Sequence, residues 1–221
     1  MVTTRDERAG KILQILRENF EVPRFSGVVR DPFKVLVRTV ISQSTAEVNT
    51  RRAYENLSKS FQITPEALSE ADLKEIKEAL KVAGLYRNKS KVLKEIARRV
   101  LEEFSGSLDF IYSAPLAEAR KRLMELPGVG FKTADIVLLF CARRPVLPVD
   151  THVNRVSKRL GLAPTSGGYE DVRLSLQRLY KPEECFDVHM LLIALGRKYC
   201  KALKPLCSKC PVKDLCPSAL V

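Results

Sequence analysis

The sequence predicts an all-α protein, and three observations support that prediction. Apolar residues recur at helical spacing through most of the 221 residues. Short segments with Asp-Pro, Thr-Pro or Gly separate these stretches, as is typical of helix starts and ends. We find no convincing run of alternating apolar and polar residues of the kind that indicates a strand. Such a chain is expected to pack helix on helix through short connections.

Nine helices are predicted from apolar residues at helical spacing. They cover residues 6–20, 33–41, 69–82, 90–104, 115–126, 132–142, 151–160, 168–180 and 186–200. Asp31-Pro32 and Thr64-Pro65 have the order of an N-cap followed by proline at the first helical position, which indicates two helix starts. Gly84 and Ser105-Gly106 are expected to end the helices before them.

The charge of the chain favours a polyanionic partner. Lys and Arg number 38 against 26 Asp and Glu, which gives a net charge of +12. Nucleic acid is the first candidate and an anionic membrane the second, while a basic protein with neither partner stays an alternative. Hydrophobic residues make up 45% of the chain and charged residues 29%, so extensive disorder is excluded.

Neither a membrane span nor a secretory signal is expected. The longest strongly apolar run, residues 134–142, is interrupted by Asp135 and is far shorter than the roughly 20 residues that a membrane helix needs. The N-terminal segment is charged from Arg5 onward, unlike a secretory signal. We therefore expect an intracellular protein, in the cytoplasm or nucleoid.

A compact series of cysteines predicts a metal site near the C-terminus. Four lie within 17 residues, with six, two and five residues between them: Cys200, Cys207, Cys210 and Cys216. Thiolates hold both zinc and iron–sulfur clusters. One short series with proline after two of its cysteines favours a [4Fe–4S] cluster, with structural zinc as the alternative. Cys141 and Cys185 lie in apolar helical contexts and are expected to belong to the core.

A glycine turn between two predicted helices is a candidate phosphate site. Gly128 and Gly130 allow positive φ angles and a close approach of another backbone. Free N–H groups of the turn and of the following helix would bind phosphate without reading a base sequence. The alternative is an ordinary αα-hairpin with a glycine turn.

Lys132 falls in the first turn of the helix after these glycines. The helix dipole and partial burial would both disfavour its positive charge, and such conditions make an amine nucleophilic near neutral pH. The alternative is a solvated lysine beside a DNA phosphate.

Asp150 follows an apolar stretch and precedes the helix predicted from Thr151. It is a candidate N-cap. A carboxylate there would also balance positive charge that develops at a sugar C1′, or accept a proton during amine attack. His152 and His189 have no partner at metal-ligand spacing, and we expect them to be structural or close to DNA.

Three motifs in this order resemble the endonuclease III family of iron–sulfur, helix-hairpin-helix DNA glycosylases. They are Leu-Pro-Gly-Val-Gly-Phe-Lys-Thr-Ala at 126–134, Val-Asp-Thr-His at 149–152, and the four-cysteine series. Ile-Ser-Gln-Ser-Thr at 41–45 extends the resemblance over nearly the whole chain.

The resemblance implies two helical domains with DNA bound between them. A six-helix barrel would span residues 25–144 and contain the helix-hairpin-helix at 115–142. A discontinuous domain would combine residues 1–24 with 145–221 and carry the cluster loop at 200–216.

The resemblance also implies the roles of individual residues. Lys132 matches the Schiff-base nucleophile, Asp150 the essential carboxylate, and Gln43 the residue that fills the gap left by a flipped nucleotide. The remaining DNA contacts would come from Gly128, Gly130, Lys132 and Thr133. The [4Fe–4S] ligands would be Cys200, Cys207, Cys210 and Cys216. Residues 85–89 match a loop that approaches the DNA backbone, and Phe131 replaces a basic residue that is common in the family.

The activity implied by the resemblance is that of a bifunctional DNA glycosylase/AP lyase of base excision repair. The enzyme would flip an oxidised pyrimidine from the duplex, release it through Lys132 and cut the abasic site by β-elimination. We expect a monomer that acts on double-stranded DNA with damaged bases or abasic sites, and no membrane partner. The alternatives are a mismatch-specific glycosylase that removes thymine or adenine, and a non-catalytic DNA-binding module stabilised by zinc.

Overall fold

The computed structural model describes residues 5–23 and 31–219, and these are helical with no strand. The all-α prediction is therefore confirmed. The described helices are α1 (Arg5–Asn19), α2 (Pro32–Ser42), α3 (Glu47–Ser60), α4 (Pro65–Glu70), α5 (Leu73–Ala79), α6 (Tyr86–Phe104), α7 (Phe110–Ser113), α8 (Leu116–Met124), α9 (Phe131–Ala142), α10 (Thr151–Arg159), α11 (Tyr169–Leu179) and α12 (Cys185–Lys198). Short 3-10 turns cover Pro182–Glu184, Cys207–Lys209 and Lys213–Leu215. Within the described ranges, no helix has the length and apolar character to cross a membrane.

Both predicted N-caps are confirmed. The Asp31 carboxylate accepts hydrogen bonds from the backbone N–H groups of Phe33 and Lys34, at 2.8 and 3.1 Å. Thr64 Oγ1 accepts one from the N–H of Ala67 at 3.3 Å. These side chains satisfy N–H groups that a helix start otherwise leaves without a partner.

The region predicted as one helix over residues 69–82 instead holds the end of α4 and the whole of α5. The Asp72 carboxylate accepts from the N–H of Lys74 at 2.6 Å and starts α5 directly after α4. Gly84 is not the predicted C-cap, since the left-handed residue is Leu85, with φ 59°. Gly84 has a packing role, because a β-carbon there would lie 2.7 Å from the Ser44 carbonyl oxygen.

Two helices, α3 and α7, were not predicted. The helix α3 buries only Thr50, Ala53 and Leu57, a narrow stripe of mostly small side chains that gives little apolar periodicity. The helix α7 is a single turn of four residues.

The chain forms two compact units. The terminal unit comprises the described residues of Met1–Val28 and Arg143–Val221, and the central unit comprises those of Val29–Ala142. The predicted boundary between residues 24 and 25 lies outside the described residues.

The terminal unit joins the two ends of the chain. The helix α1 packs against α11 and α12, with Ile12, Leu13 and Leu16 in a shared apolar core. The Tyr180 hydroxyl donates to the Ala9 carbonyl oxygen at 3.3 Å, and Arg17 Nη2 lies 2.9 Å from Asp187 Oδ2.

The central unit is built from the consecutive helices α2–α9. In it α4 packs on α6, and α2 packs on α9, which follows α8 through the glycine turn. Its core includes the fully buried side chains of Leu36, Ile41, Leu93, Ile96 and Leu138. This core fixes the end of α2 beside the start of α9, where several predicted site residues lie.

Candidate functional site

The glycine turn joins α8 to α9 over six residues, 125–130. Gly128 has φ 72°, a conformation that favours glycine, and a β-carbon there would lie 3.0 Å from Val92 Cγ1, a tight contact. Gly130 has ordinary φ, and a β-carbon there would have no neighbour within 4 Å. Leu126 and Val129 are buried while both glycines are exposed, so the turn presents backbone to solvent.

The structure brings Gln43 to this turn. Gln43 follows the last residue of α2, and its Nε2 donates to the Gly128 carbonyl oxygen at 3.0 Å and to Thr133 Oγ1 at 3.4 Å. Three residues of the predicted DNA-binding set are therefore in contact within the central unit. This contact spans 85 positions in the sequence and could not be derived from local pattern.

Lys132 lies in the first turn of α9 and is exposed. Its position in the helix agrees with the prediction, but the partial burial expected for it is not found.

A buried ion pair stabilises the helical hairpin behind Lys132. Asp135 is fully buried in α9, and Arg120 of α8 binds it at two points, with Nε 2.7 Å from Oδ1 and Nη2 3.1 Å from Oδ2. The Arg120 guanidinium also lies over the Phe131 ring, 4.9 Å from its centroid. Phe131, which replaces the basic residue of the family pattern, thus covers this ion pair on the side of α9 that faces α8.

Asp150 is the N-cap of α10 in the terminal unit, as predicted. Its Oδ1 accepts from the N–H of Val153 at 2.7 Å, and the side chain is half-buried. The preceding strand-like stretch is fixed by His189, whose Nδ1 lies 2.9 Å from the Pro148 carbonyl oxygen and therefore carries the proton. The Asp150 carboxylate is thus held in one orientation by the start of α10.

The other histidine, His152, packs between α10 and α12. Its Nδ1 lies 3.1 Å from Nη2 of Arg155, one turn further along α10. A β-carbon at Gly196 of α12 would lie 2.9 Å from the same nitrogen, so glycine is needed for this close approach. Both histidines therefore have structural contacts in the terminal unit.

The four C-terminal cysteines line one cavity of about 240 Å³ in the terminal unit. Its walls also include Leu160, Leu195 and Tyr199. Among residues 5–23 and 31–219, no three His, Cys, Asp or Glu side chains lie close enough to share one metal ion. A cubane cluster makes a different demand, because each cysteine binds its own iron, and four thiols around one cavity fit it.

Two arginines of α10 bind the start of the cysteine segment. Arg155 Nε donates to the Cys200 carbonyl oxygen at 2.9 Å. Arg159 Nη1 donates to the Lys201 carbonyl oxygen at 2.7 Å and lies 3.5 Å from Cys200 Sγ, while its Nη2 donates to the Ala202 carbonyl oxygen at 3.1 Å. Neither arginine was predicted from the sequence. Their only local signal is that they lie four residues apart, on one face of a helix that the sequence predicts.

Burial affects the cysteines unequally. It raises the pKa of the Cys210 and Cys216 thiols from their ordinary values. Protons on these thiols must leave when a metal centre binds, so binding is linked to pH. Cys185 does not line the cavity and is buried in α12, where burial raises its pKa to about 11.

Comparison with known families gives two matches. Residues 37–182 match the HhH-GPD superfamily of base excision DNA repair proteins. Residues 200–216 match the iron–sulfur binding domain of endonuclease III, a range that begins and ends at Cys200 and Cys216.

Relatives and solved structures match over nearly the whole chain. Endonuclease III of Sulfolobus acidocaldarius is 33% identical, over 94% of this chain and 95% of that protein. Endonuclease III of Thermotoga maritima is 36% identical, over 84% and 83%. A solved structure of a trapped endonuclease III–DNA covalent intermediate superposes with a TM-score of 0.85 at 30% identity, covering 99% of this chain and 98% of that chain.

Proposed function

Because the chain belongs to the endonuclease III family of base excision repair enzymes, which are DNA glycosylases with AP lyase activity, we propose that Lys132 is its Schiff-base nucleophile. The observation that carries this proposal is the exposed Lys132 side chain in the first turn of α9, directly after a turn that presents its backbone to solvent. A trapped covalent intermediate with DNA in a relative of the same fold supports a covalent route.

The chemistry begins with a base that has left the helical stack, since a stacked base is out of reach of a side chain. The neutral Lys132 amine attacks C1′ of the sugar, the glycosidic bond breaks, and the base leaves with the bonding electrons and takes up a proton. The nitrogen then loses a proton, its lone pair forms a second bond to C1′ as the C1′–O4′ bond breaks, and the O4′ oxygen takes up a proton, which leaves an iminium between Lys132 and C1′.

Strand cleavage follows from that iminium. Its positive charge acidifies C2′, a base removes the C2′ proton, and the electrons expel the phosphate on the 3′ side of the sugar. Lys132 therefore serves both reactions, and we propose that Asp150 balances the charge that develops at C1′ or accepts a proton. The bond from Asp150 Oδ1 to the Val153 N–H supports this role, because it holds the carboxylate at the start of α10.

The DNA is proposed to contact Gln43, Gly128, Gly130 and Thr133. The exposed glycine turn and the start of α9 offer backbone N–H groups to a phosphate, which would position the strand without reading its sequence. The net charge of +12 supports such binding. Gln43, next to this turn, would fill the space that the flipped nucleotide leaves.

We infer that the substrates are oxidised pyrimidines and abasic sites in double-stranded DNA, and that the enzyme acts as a monomer inside the cell. Oxidation of a pyrimidine ring weakens its pairing and makes it a better leaving group, which suits an amine nucleophile. The two units support the proposed division into a barrel domain at 25–144 and a discontinuous domain at 1–24 and 145–221.

Residues 200–216 match an iron–sulfur binding domain, and the protein contains a [4Fe–4S] cluster there. The cofactor prediction is therefore confirmed in preference to the zinc alternative. We propose Cys200, Cys207, Cys210 and Cys216 as its ligands. The cluster supplies a structural centre for a segment that has little apolar core of its own. Lys201, Lys204, Lys209 and Lys213 lie in or beside this segment and are exposed, so an ordered segment presents four cations to DNA phosphates.

Borohydride trapping tests the nucleophile. Reduction of the iminium during reaction should join the protein to a duplex that contains an oxidised pyrimidine or an abasic site, and Lys132→Gln should abolish the adduct while duplex binding remains. Lys59→Gln, an exposed lysine of α3, is the control and should trap normally. An adduct at the normal yield in Lys132→Gln would overturn the assignment.

The substrate class needs its own comparison. Duplexes with an oxidised pyrimidine, an abasic site, a mismatched thymine or a mismatched adenine should be scored separately for base release and for strand cutting. We expect release of the oxidised pyrimidine and cutting of the abasic site. Faster release of either mismatched base would favour the mismatch-specific alternative.

A further inference from the structure

A lysine of α6 is buried beneath the turn that carries Gln43. Lys89 is 3% exposed, and its Nζ donates to the Ile41 carbonyl oxygen at 2.8 Å and to Thr45 Oγ1 at 2.6 Å. These two acceptors lie on either side of Gln43, one in the last turn of α2 and the other just beyond it. The ammonium group therefore connects the two ends of this turn on its buried side.

Burial of the Lys89 ammonium group is unfavourable unless polar contacts compensate for its lost hydration. Removing an ammonium from water costs several kcal/mol, which hydrogen bonds and other polar contacts only partly return. The burial also lowers the pKa of Lys89 from its ordinary value. A desolvated lysine can act as a nucleophile, but the Nζ of Lys89 is enclosed and bonded to two oxygens, so no sugar could reach it. Residues 85–89 match a DNA-approaching loop in the family pattern, yet the burial of Lys89 excludes it from such contact.

The turn above Lys89 has little freedom in other respects. Ser44 adopts φ 50°, a left-handed conformation that is strained for a residue with a side chain. The Thr45 hydroxyl, which accepts from Lys89, also donates to the Gln43 carbonyl oxygen at 3.2 Å. Gly84, directly before α6 and its N-cap Leu85, lies so close to Ser44 that no side chain would fit between them.

These bonds connect Lys89 to the glycine turn through Gln43. Lys89 holds the Thr45 hydroxyl, Thr45 holds the Gln43 carbonyl, and the Gln43 amide binds the Gly128 carbonyl oxygen. All of these residues belong to the central unit. The backbone at Gln43 is thus fixed from its buried side, while its side chain would leave Gly128 and Thr133 in order to turn toward DNA.

We propose that Lys89 is a positioning residue, which fixes the backbone of the Ser42–Thr45 turn so that Gln43 enters the gap left by a flipped nucleotide. The proposal rests on the role proposed above for Gln43. A residue that fills a transient gap acts best when its backbone is already in place, because ordering it at that moment would cost conformational entropy. Lys89 supplies that order from a position that DNA does not touch.

The variant Lys89→Met keeps the length of the side chain and removes its donors. We expect single-turnover release of an oxidised pyrimidine from duplex DNA to slow by about tenfold or more, as for other losses of positioning. Binding to an undamaged duplex should change little. Lys94→Met is the matched control, because Lys94 of the same helix also donates from Nζ to a backbone carbonyl, that of Ala71, at 2.5 Å.

A double-mutant cycle separates positioning from a merely structural role. If Lys89 acts through Gln43, Lys89→Met should slow base release strongly in the normal protein and only slightly in a Gln43→Ala background. Equal losses in both backgrounds, or an equal loss in Lys94→Met, would overturn the proposal. Should Lys89→Met fail to fold, Thr45→Val removes one acceptor of the same network and enters the same cycle.

The test is distinct from that of the proposed function. A Gln43→Ala protein with the normal rate of base release would overturn both the role of Gln43 and the positioning role of Lys89. The borohydride adduct through Lys132 would still form in that case. If the unsubstituted protein formed no adduct, the assignment of Lys132 as the nucleophile would be wrong. The positioning role of Lys89 would not be affected by that result.

Discussion

Arg120 and Asp135 join the two helices of the hairpin through an ion pair of which one partner, Asp135, is fully buried. The pair lies one turn along α9 from Phe131 and Lys132, so it fixes the first turn of that helix against α8. A two-point contact between guanidinium and carboxylate also sets the angle of approach, which a single hydrogen bond would not. The geometry of the hairpin therefore depends on a residue pair that lies beneath its exposed surface.

Loss of one partner of this pair should be costly. Arg120 is 15% exposed in the intact protein, and Asp135→Ala would remove the carboxylate that it binds at two points, so we expect the free energy of unfolding to fall by about 3–5 kcal/mol. Urea denaturation followed by circular dichroism measures this. The control is Glu95→Ala, which breaks an exposed pair with Arg98 and should cost far less stability, because water screens that pair. Similar losses of stability in both variants would show that the Arg120–Asp135 pair stabilises the fold no more than an exposed pair does.

Asp150→Asn should separate the capping role of Asp150 from its chemistry. Asparagine caps helices as well as aspartate does, so the stability of the fold should be retained. Base release should fall by about a hundredfold or more, the scale expected for loss of a positioned charge or base. Asp72→Asn changes the N-cap of α5 in the same way and should leave the rate unchanged. A folded Asp150→Asn protein with near-normal turnover would limit Asp150 to its role as a cap.

The cluster ligands can be tested by cysteine replacement. Cys207→Ala should lose the cluster and weaken DNA binding, because the cationic segment around it loses its order. Cys185→Ala should keep both properties, since Cys185 lies outside the cavity. Iron and sulfide analysis of anaerobically purified protein should give about four of each per chain. One zinc and no iron would contradict the cluster.

Cys185 should resist alkylation in the folded protein. With a pKa raised to about 11, only about one thiol in a thousand is ionised at pH 8, and the thiolate is the reactive form. Because this thiol ionises more readily in the unfolded chain, where its pKa is near 9, the free energy of unfolding should fall as the pH rises from about 9 toward 11. Mass spectrometry after iodoacetamide treatment should find Cys185 labelled only when the protein is unfolded first. Rapid labelling of the native protein would show that its thiol is accessible.

Local sequence signals predicted most of the helices but not all of their limits. Helices with a strong N-cap, such as those after Asp31 and Thr64, begin where the sequence predicts. The division between α4 and α5 was missed, because apolar spacing continues through Asp72 although its side chain starts a new helix. The narrow buried stripe of α3 gave no usable periodicity.

Prediction of the candidate site from the sequence was incomplete in a similar way. The residues expected to act on DNA were identified from motifs, but the residues that support them were not. Lys89, Arg155 and Arg159 act through contacts with backbone atoms more than 40 positions away, and such contacts leave no pattern in a single sequence. The partial burial expected for Lys132 was also wrong, because exposure depends on how neighbouring helices pack.

The construction of the terminal unit from both ends of the chain has a consequence for protein synthesis. The helix α1 leaves the ribosome before the central unit, while α11 and α12, against which it packs, leave after it. The central unit consists of consecutive helices and is complete before either partner emerges, so it can fold as a unit during translation. The apolar face of α1, with Ile12, Leu13 and Leu16, must therefore stay without its native partners until α11 and α12 have emerged.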